Sequence, residues 1–123
     1  ITREDLEMAA KAAGLVVVGE ADKMVAQPGR RHEGGLVVKN EFGGDSLWHP
    51  GEDDGDCARM EARLGIELTW FFDRVDALAC DVAIFVEFFK DHNGDKNAAR
   101  RAASLAVAAE IGRALRAALG EKP

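Results

Sequence analysis

Apolar positions recur along the chain with two different spacings, and the spacing changes mark its elements. Residues 2–13 carry Leu6, Ala9, Ala10 and Ala13 at helical intervals. Thr2 stands where an N-cap belongs, and Asp5 follows three residues later in a weak form of the capping box. Gly14 can take the left-handed turn that ends this helix, with Leu15 placed to fold back on it. The β-branched run Leu15–Val18 then predicts a strand. Residues 19–35 form a turn-rich connection containing Pro28, with room for a short strand at Met24–Ala26. Leu36–Lys39 predicts the next strand, expected to pair with the first as a hairpin. A second helix should start at a cap formed by Asp53 or Asp54, run to about Leu64 on a stripe of Cys57, Met60 and Leu64, and stop at Gly65.

The clearest alternation is "IELTWFFDRV": Ile66, Leu68, Trp70 and Phe72 interleave with Glu67, Thr69, Phe71 and Asp73, the period of two of a half-buried strand. A loop from Asp76 to Cys80 leads to "DVAIFVEFFK", where Val82, Ile84, Val86 and Phe88 share one face and Ala83, Phe85, Glu87 and Phe89 the other. These two strands are expected to form an antiparallel hairpin. An Asn-Gly turn in "DHNGD" breaks the pattern. Asp95 can cap a long last helix to about Leu119, with Leu105, Ala108, Ile111, Gly112, Leu115 and Leu119 as its buried stripe and Arg100, Arg101, Arg113 and Arg116 away from it. The order α-β-β-α-β-β-α predicts an α+β protein, an α/β sandwich of three helices on a small, mainly antiparallel sheet. Phe71, Phe85 and Phe89 are expected on the second face of that sheet, away from its main aliphatic face. Such a face needs a cover, either another helix or another subunit, so a homodimer is one expectation and Phe71, Phe85 and Phe89 its candidate face.

Composition narrows this picture without redirecting it. The 123 residues suit one domain, 1–123, and 47% hydrophobic with 31% charged residues supply one core and not two. The net charge of −6 argues against a grip on nucleic acid or on anionic membranes. Local basic pairs at Arg30–Arg31 and Arg100–Arg101 lack aromatic interleaving, and a solvated helix face explains the second. Cys57 and Cys80 form no CxxC pair and read as reduced, packed thiols of a cytosolic protein. No signal peptide or membrane span is apparent.

The segment "LWHPGEDDGD", residues 47–56, concentrates the candidate chemistry. His49, Asp53, Asp54 and Asp56 are metal-capable and offer one alternative, a small metal-dependent enzyme. Zinc spacings such as HxxxH or HExxH are missing, however, and neither aspartate opens a calcium loop. Acids in a first helical turn complement the helix dipole and cap free N–H groups, which is the favoured reading, with Trp48 and Pro50 anchoring the incoming loop. "DHNGDKN" lacks the glycine and the terminal glutamate of a calcium loop and reads as a turn with a cap. Ser46 and Ser104 lie outside any GxSxG, no GxGxxG or P-loop occurs, and His32, His49 and His92 fall in predicted loops. No metal, cofactor or catalytic residue is therefore assigned. Glu41, Asp45, Glu52, Asp53, Asp54 and Asp56 form a run without lysine or arginine that could meet a basic partner surface, although a solvated acidic loop is the simpler account.

Three segments together resemble a family of small uncharacterised proteins of tailed phages and prophages: "EMAAKAAGL" (7–15), "LWHPGEDDGDCARMEARLGI" (47–66) and "ARRAASLAVAAEIGRAL" (99–115). The middle one is similar to that family's Trp-Asn-Pro, two variable residues, Asp-Asp-Gly-Asp pattern, with His49 in place of the usual asparagine. The resemblance implies a phage α-β-α sandwich domain, a phage or prophage origin, and accessory action in the cytoplasm of a bacterial host. It carries no catalytic residues over. The resulting expectation is a non-enzymatic protein that binds a host or phage macromolecule, with a metal-dependent enzyme and a structural dimerisation module as alternatives.

Overall fold

The computed structural model describes residues 2–20, 34–79, 82 and 84–120. The expected strand at Met24–Ala26, the Arg30–Arg31–His32 cluster and Cys80 lie outside them. Among the described residues the elements are α1 (Arg3–Ala12), β1 (Val17–Glu20), β2 (Leu36–Lys39), β3 (Asp45–Trp48), α2 (Asp54–Leu64), β4 (Glu67–Trp70), β5 (Arg74–Leu78), β6 (Phe85–Phe88), a 3-10 turn (Phe89–His92) and α3 (Lys96–Ala118). The fold is a mixed α+β one, as the pattern predicts. Each half carries one strand more than expected, and the strands form two antiparallel sheets, β1-β2-β3 and β4-β5-β6, rather than one.

Local chemistry accounts for the element ends. The Thr2 hydroxyl accepts from Asp5 N–H at 3.0 Å and the Asp5 carboxylate accepts from Thr2 N–H at 3.1 Å, a complete capping box for α1. At its other end Gly14 takes φ +73° and Leu15 N–H returns to the Ala10 carbonyl. Asn40 builds the β2–β3 turn: its side-chain oxygen accepts from Phe42 and Gly44 N–H, both at 3.0 Å, leaving Glu41 and Phe42 at an exposed tip.

The extra strands correct two expectations. Trp48 does not anchor a loop; it ends β3 and faces the core, paired with Leu36. The expected eight-residue strand from Ile66 stops at Trp70, where Phe71 N–H bonds back to the Arg74 carbonyl. The segment read as a loop from Asp76 belongs to β5, which lies between β4 and β6, so the direct hairpin expected between those two does not form. Val75 and Ala77 give β5 its inward row, but alanine is a weak strand signal and the alternation passed for a loop.

Helix α3 is the structural axis. Its Leu105 and Ala108 join Leu6, Ala9, Leu36 and Met60 in one core cluster. Its Ala99, Ala103 and Val107 join Val75, Ala77 and Phe89 in another. A helix walled on two sides shows no single stripe, because apolar residues are needed all round it. The expected stripe is thus half right: Leu105, Ala108 and Gly112 are buried, whereas Leu115 and Leu119 are exposed. Gly112 marks the crossing with α1. A Cβ there would stand 1.9 Å from the Met8 carbonyl oxygen, so only glycine permits this approach.

Candidate functional site

The acidic segment proves to be local architecture. The Asp53 side chain caps α2 by accepting from Asp56 N–H at 2.8 Å, which settles the choice between Asp53 and Asp54. Asp54, in the first turn, pairs with Arg101 at 2.5 Å, and Arg101 Nε also donates to the Gly51 carbonyl at 3.1 Å. Asp56 is buried, not a surface acid as expected: it accepts from His49 N–H at 2.9 Å and from Arg59 at 2.7 Å. Pro50 is fully buried. Of the remaining acids, Asp45 pairs with Lys39 at 2.9 Å across the β2–β3 ladder, while Glu41 and Glu52 are exposed. The six-acid surface is therefore interrupted by the burial of Asp56 and by the ion pairs of Asp45, Asp54 and Asp56.

The same geometry bears on metal binding. The carboxylates of Asp53, Asp54 and Asp56 are directed to a backbone cap, to arginines and to the His49 backbone N–H rather than to one point. Among the described residues no group of three or more His, Cys, Asp or Glu side chains is placed to hold a metal ion.

Beside this loop lies a cleft of about 420 Å³ between the start of α1, the His49–Glu52 turn, His92 and α3. The His49 ring is seated on glycine backbone: a Cβ on Gly35 would come within 3.1 Å of it, and one on Gly51 within 3.7 Å. The size suits a small ligand. Its charged walls are matched internally, since Arg3 pairs with Glu7 at 2.8 Å and His92 contacts Glu87 at 2.7 Å. Among the described residues the lining contains no serine, cysteine or lysine, and its one hydroxyl, Thr2, caps α1.

Between α2 and α3, Glu61 is buried with a full set of partners. Arg100 grips it through Nε at 3.0 and 3.1 Å and through a second nitrogen, and the Ser104 hydroxyl donates at 2.5 Å. Cys57 lies against the same carboxylate at 3.6 Å. Burial, then the neighbouring Glu61 charge, pushes its thiol up to about 12, so the thiolate needed for reactivity does not form at neutral pH. Arg113 reaches Asp5 on α1 in the same way that Arg100 reaches α2. The arginines expected to form a solvated basic face are thus straps that fix α3 to its neighbours.

The second sheet holds the feature that the first lacks. The buried Val75 and Ala77 of β5 set its inner face, and their ladder partners are Trp70 and Leu68 on β4, Glu87 and Phe85 on β6. Phe85 packs against that core and Phe89 lies within it, its ring 6.1 Å from that of Trp70. Of the two covers expected for Phe71, Phe85 and Phe89, a helix or a second subunit, it is helix α3 that covers Phe85 and Phe89, whereas Phe71 lies exposed on the other side. The outer face carries the opposite row: Ile84, Val86 and Phe88 are 58%, 40% and 38% exposed. Alternation divides a strand into two faces but does not say which is inner. The aliphatic row looked like core; Glu87 on the inner row is accommodated by His92, and the small residues of α3 leave room for phenylalanine. At the centre of the outer face Arg74 neutralises Asp73 at 3.0 Å and Asp76 at 3.6 Å and lies over the Phe71 ring.

No family model, no curated protein and no solved structure matches this chain. No helix among the described residues is long and apolar enough to cross a membrane.

Proposed function

We propose that the protein is a phage or prophage accessory protein that acts in the bacterial cytoplasm by associating with a protein surface, without catalysis. The sequence resemblance to small phage proteins supplies the source. The observation that carries the mode of action is the exposed apolar row of Val86 and Phe88 on β6 with Ile84 just before it, at the edge of the second sheet. Among the described residues no strand pairs with the outer edge of β6, and an edge strand with an apolar face is the ordinary template for strand addition by a partner. The acidic segment contributes less to this reading than the sequence suggests, because Asp54 and Asp56 are committed to Arg101 and to the His49 backbone.

Photo-crosslinking in bacterial cells tests the reading. A photoreactive amino acid replacing Ile84 should give a discrete covalent adduct with a protein, and the same group replacing Glu67, on the polar opposite edge, should give none. No discrete adduct at position 84, or equal adducts at both positions, would overturn it.

A further inference from the structure

We infer that the protein surface received by β6 is a second copy of this chain, joined edge to edge in antiparallel register with the two-fold axis passing through Val86. This rests on the proposed association through the same strand and names its partner.

The four sheet edges differ. The β1 edge is broken by a bulge between Val17 and Gly19, which twists a strand away from flat pairing. The β3 edge opens on Asp45, already paired with Lys39, and the β4 edge turns Glu67 and Thr69 outward. β6 is short and carries Glu87 on its inner row, where His92 contacts it, but it has no proline, lysine or bulge to turn a partner away.

Its hydrogen bonding then selects a register. Phe89 N–H donates to the Asp73 carbonyl, toward the body of the sheet. Ladder bonds alternate along a strand, so Phe85 and Glu87 also turn their backbone groups toward β5, while Ile84, Val86 and Phe88 turn theirs to the free edge. In a two-fold antiparallel pair, directly opposite residues lie on one face and outward-turned groups must meet. An axis at Val86 satisfies this over the whole strand: Val86 faces its own copy, Ile84 faces Phe88 and Phe85 faces Glu87. The three apolar residues of the exposed row are thereby brought against one another. Moving the axis one residue on would set Glu87 against Glu87 and push Phe89, part of the 3-10 turn, into the ladder. Moving it one residue back would leave Phe88 beyond the paired stretch. Self-pairing thus has one register with full overlap and no like charges opposed. The product is a continuous six-stranded sheet, with β6 and its copy at the centre.

The test uses the whole protein in a Cys80→Ser background. Native mass measurement at micromolar concentration should give twice the chain mass, and Val86→Glu, with unchanged circular dichroism, should give the single mass. On mild oxidation, Val86→Cys should form a covalent dimer, because directly opposed Cα atoms in such a pair lie about 5.5 Å apart, within disulfide reach. Ile84→Cys alone should not cross-link, but mixed with Phe88→Cys it should. The cysteine variants decide the matter if Val86→Glu fails to fold. A single mass for the parent protein, a dimer that survives Val86→Glu, or Ile84→Cys cross-linking with itself as readily as Val86→Cys would overturn the pairing. If the parent is monomeric while position 84 photo-cross-links a different protein, the partner is wrong and the binding reading stands; if neither occurs, both fall.

Discussion

The two sheets have the same meander topology and treat their second faces in opposite ways. In β2 of the first sheet, Leu36, Val37 and Val38 are all buried: Leu36 and Val38 face the helices, while Val37 meets Leu47 of β3 in a separate cluster on the other side. In β5 of the second sheet only alternate residues are buried, and the opposite row runs through Arg74 and Asp76 to the exposed Val86 and Phe88. A central strand buried on both faces is a finished structural element, and an edge strand with an exposed apolar row is an unfinished one. The contrast is between a strand with both faces packed and one with an apolar row left exposed.

The strongest way to break the first half is to part α1 from α3. Gly112→Val would drive a branched side chain into the Met8 backbone, where even a Cβ has no room. A loss of about 4 kcal/mol, or failure to fold, is expected in urea denaturation, beyond the usual overpacking range because the obstacle is main chain. A smaller effect at this position would mean that the helices can separate cheaply.

A matched pair then compares the second faces directly. Leu47→Ala, at a position 3% exposed, should cost about 2–3 kcal/mol. Val86→Ala, at 40% exposure, should cost roughly 0.5 kcal/mol, measured where the protein is dilute enough to be monomeric. Equal costs would remove the distinction between a covered and an open face.

The smallest expected effect concerns acid. Burial alone would raise the Asp5 carboxyl, but hydrogen bonds from Arg113 and from the Thr2 backbone and hydroxyl outweigh it and hold the group below its ordinary value. A carboxyl with a depressed folded value stabilises the fold above its unfolded value and loses that contribution as pH falls through the folded one. Asp5→Asn should therefore lower stability at neutral pH and flatten the acid limb of the stability curve below the usual carboxylate range. An unchanged acid limb would show that Asp5 is not a coupling point between α1 and α3.

How much of this was legible in the sequence divides along the same line. Helix ends were readable because caps are local: Thr2 with Asp5, the choice of Asp53 or Asp54, Asp95 and Gly65 all act within one turn of the residues that reveal them. Strand identity was readable at Leu36–Lys39 and not at β3, where Leu47 and Trp48 are adjacent apolar residues buried on opposite faces and so erase the alternation. The candidate surface was misread for a related reason. Which row of β6 is inner depends on the volume that α3 leaves, a property of residues 99–107 that the strand itself does not carry. Likewise Arg100, Arg101 and Arg113 looked like solvent charge because their partners Glu61, Asp54 and Asp5 lie 39 to 108 residues away.

The central position of α3 has a consequence for how the chain is made. It is the last of the described elements to leave the ribosome, yet it walls both clusters, and α1 finds its main partner in it. The inner face of the second sheet is not covered until nearly all of the described chain has been synthesised. Contacts this distant in sequence are slow to close, and nascent strands that wait for a wall expose apolar rows in the meantime. Folding of the second sheet should therefore wait for α3 to emerge.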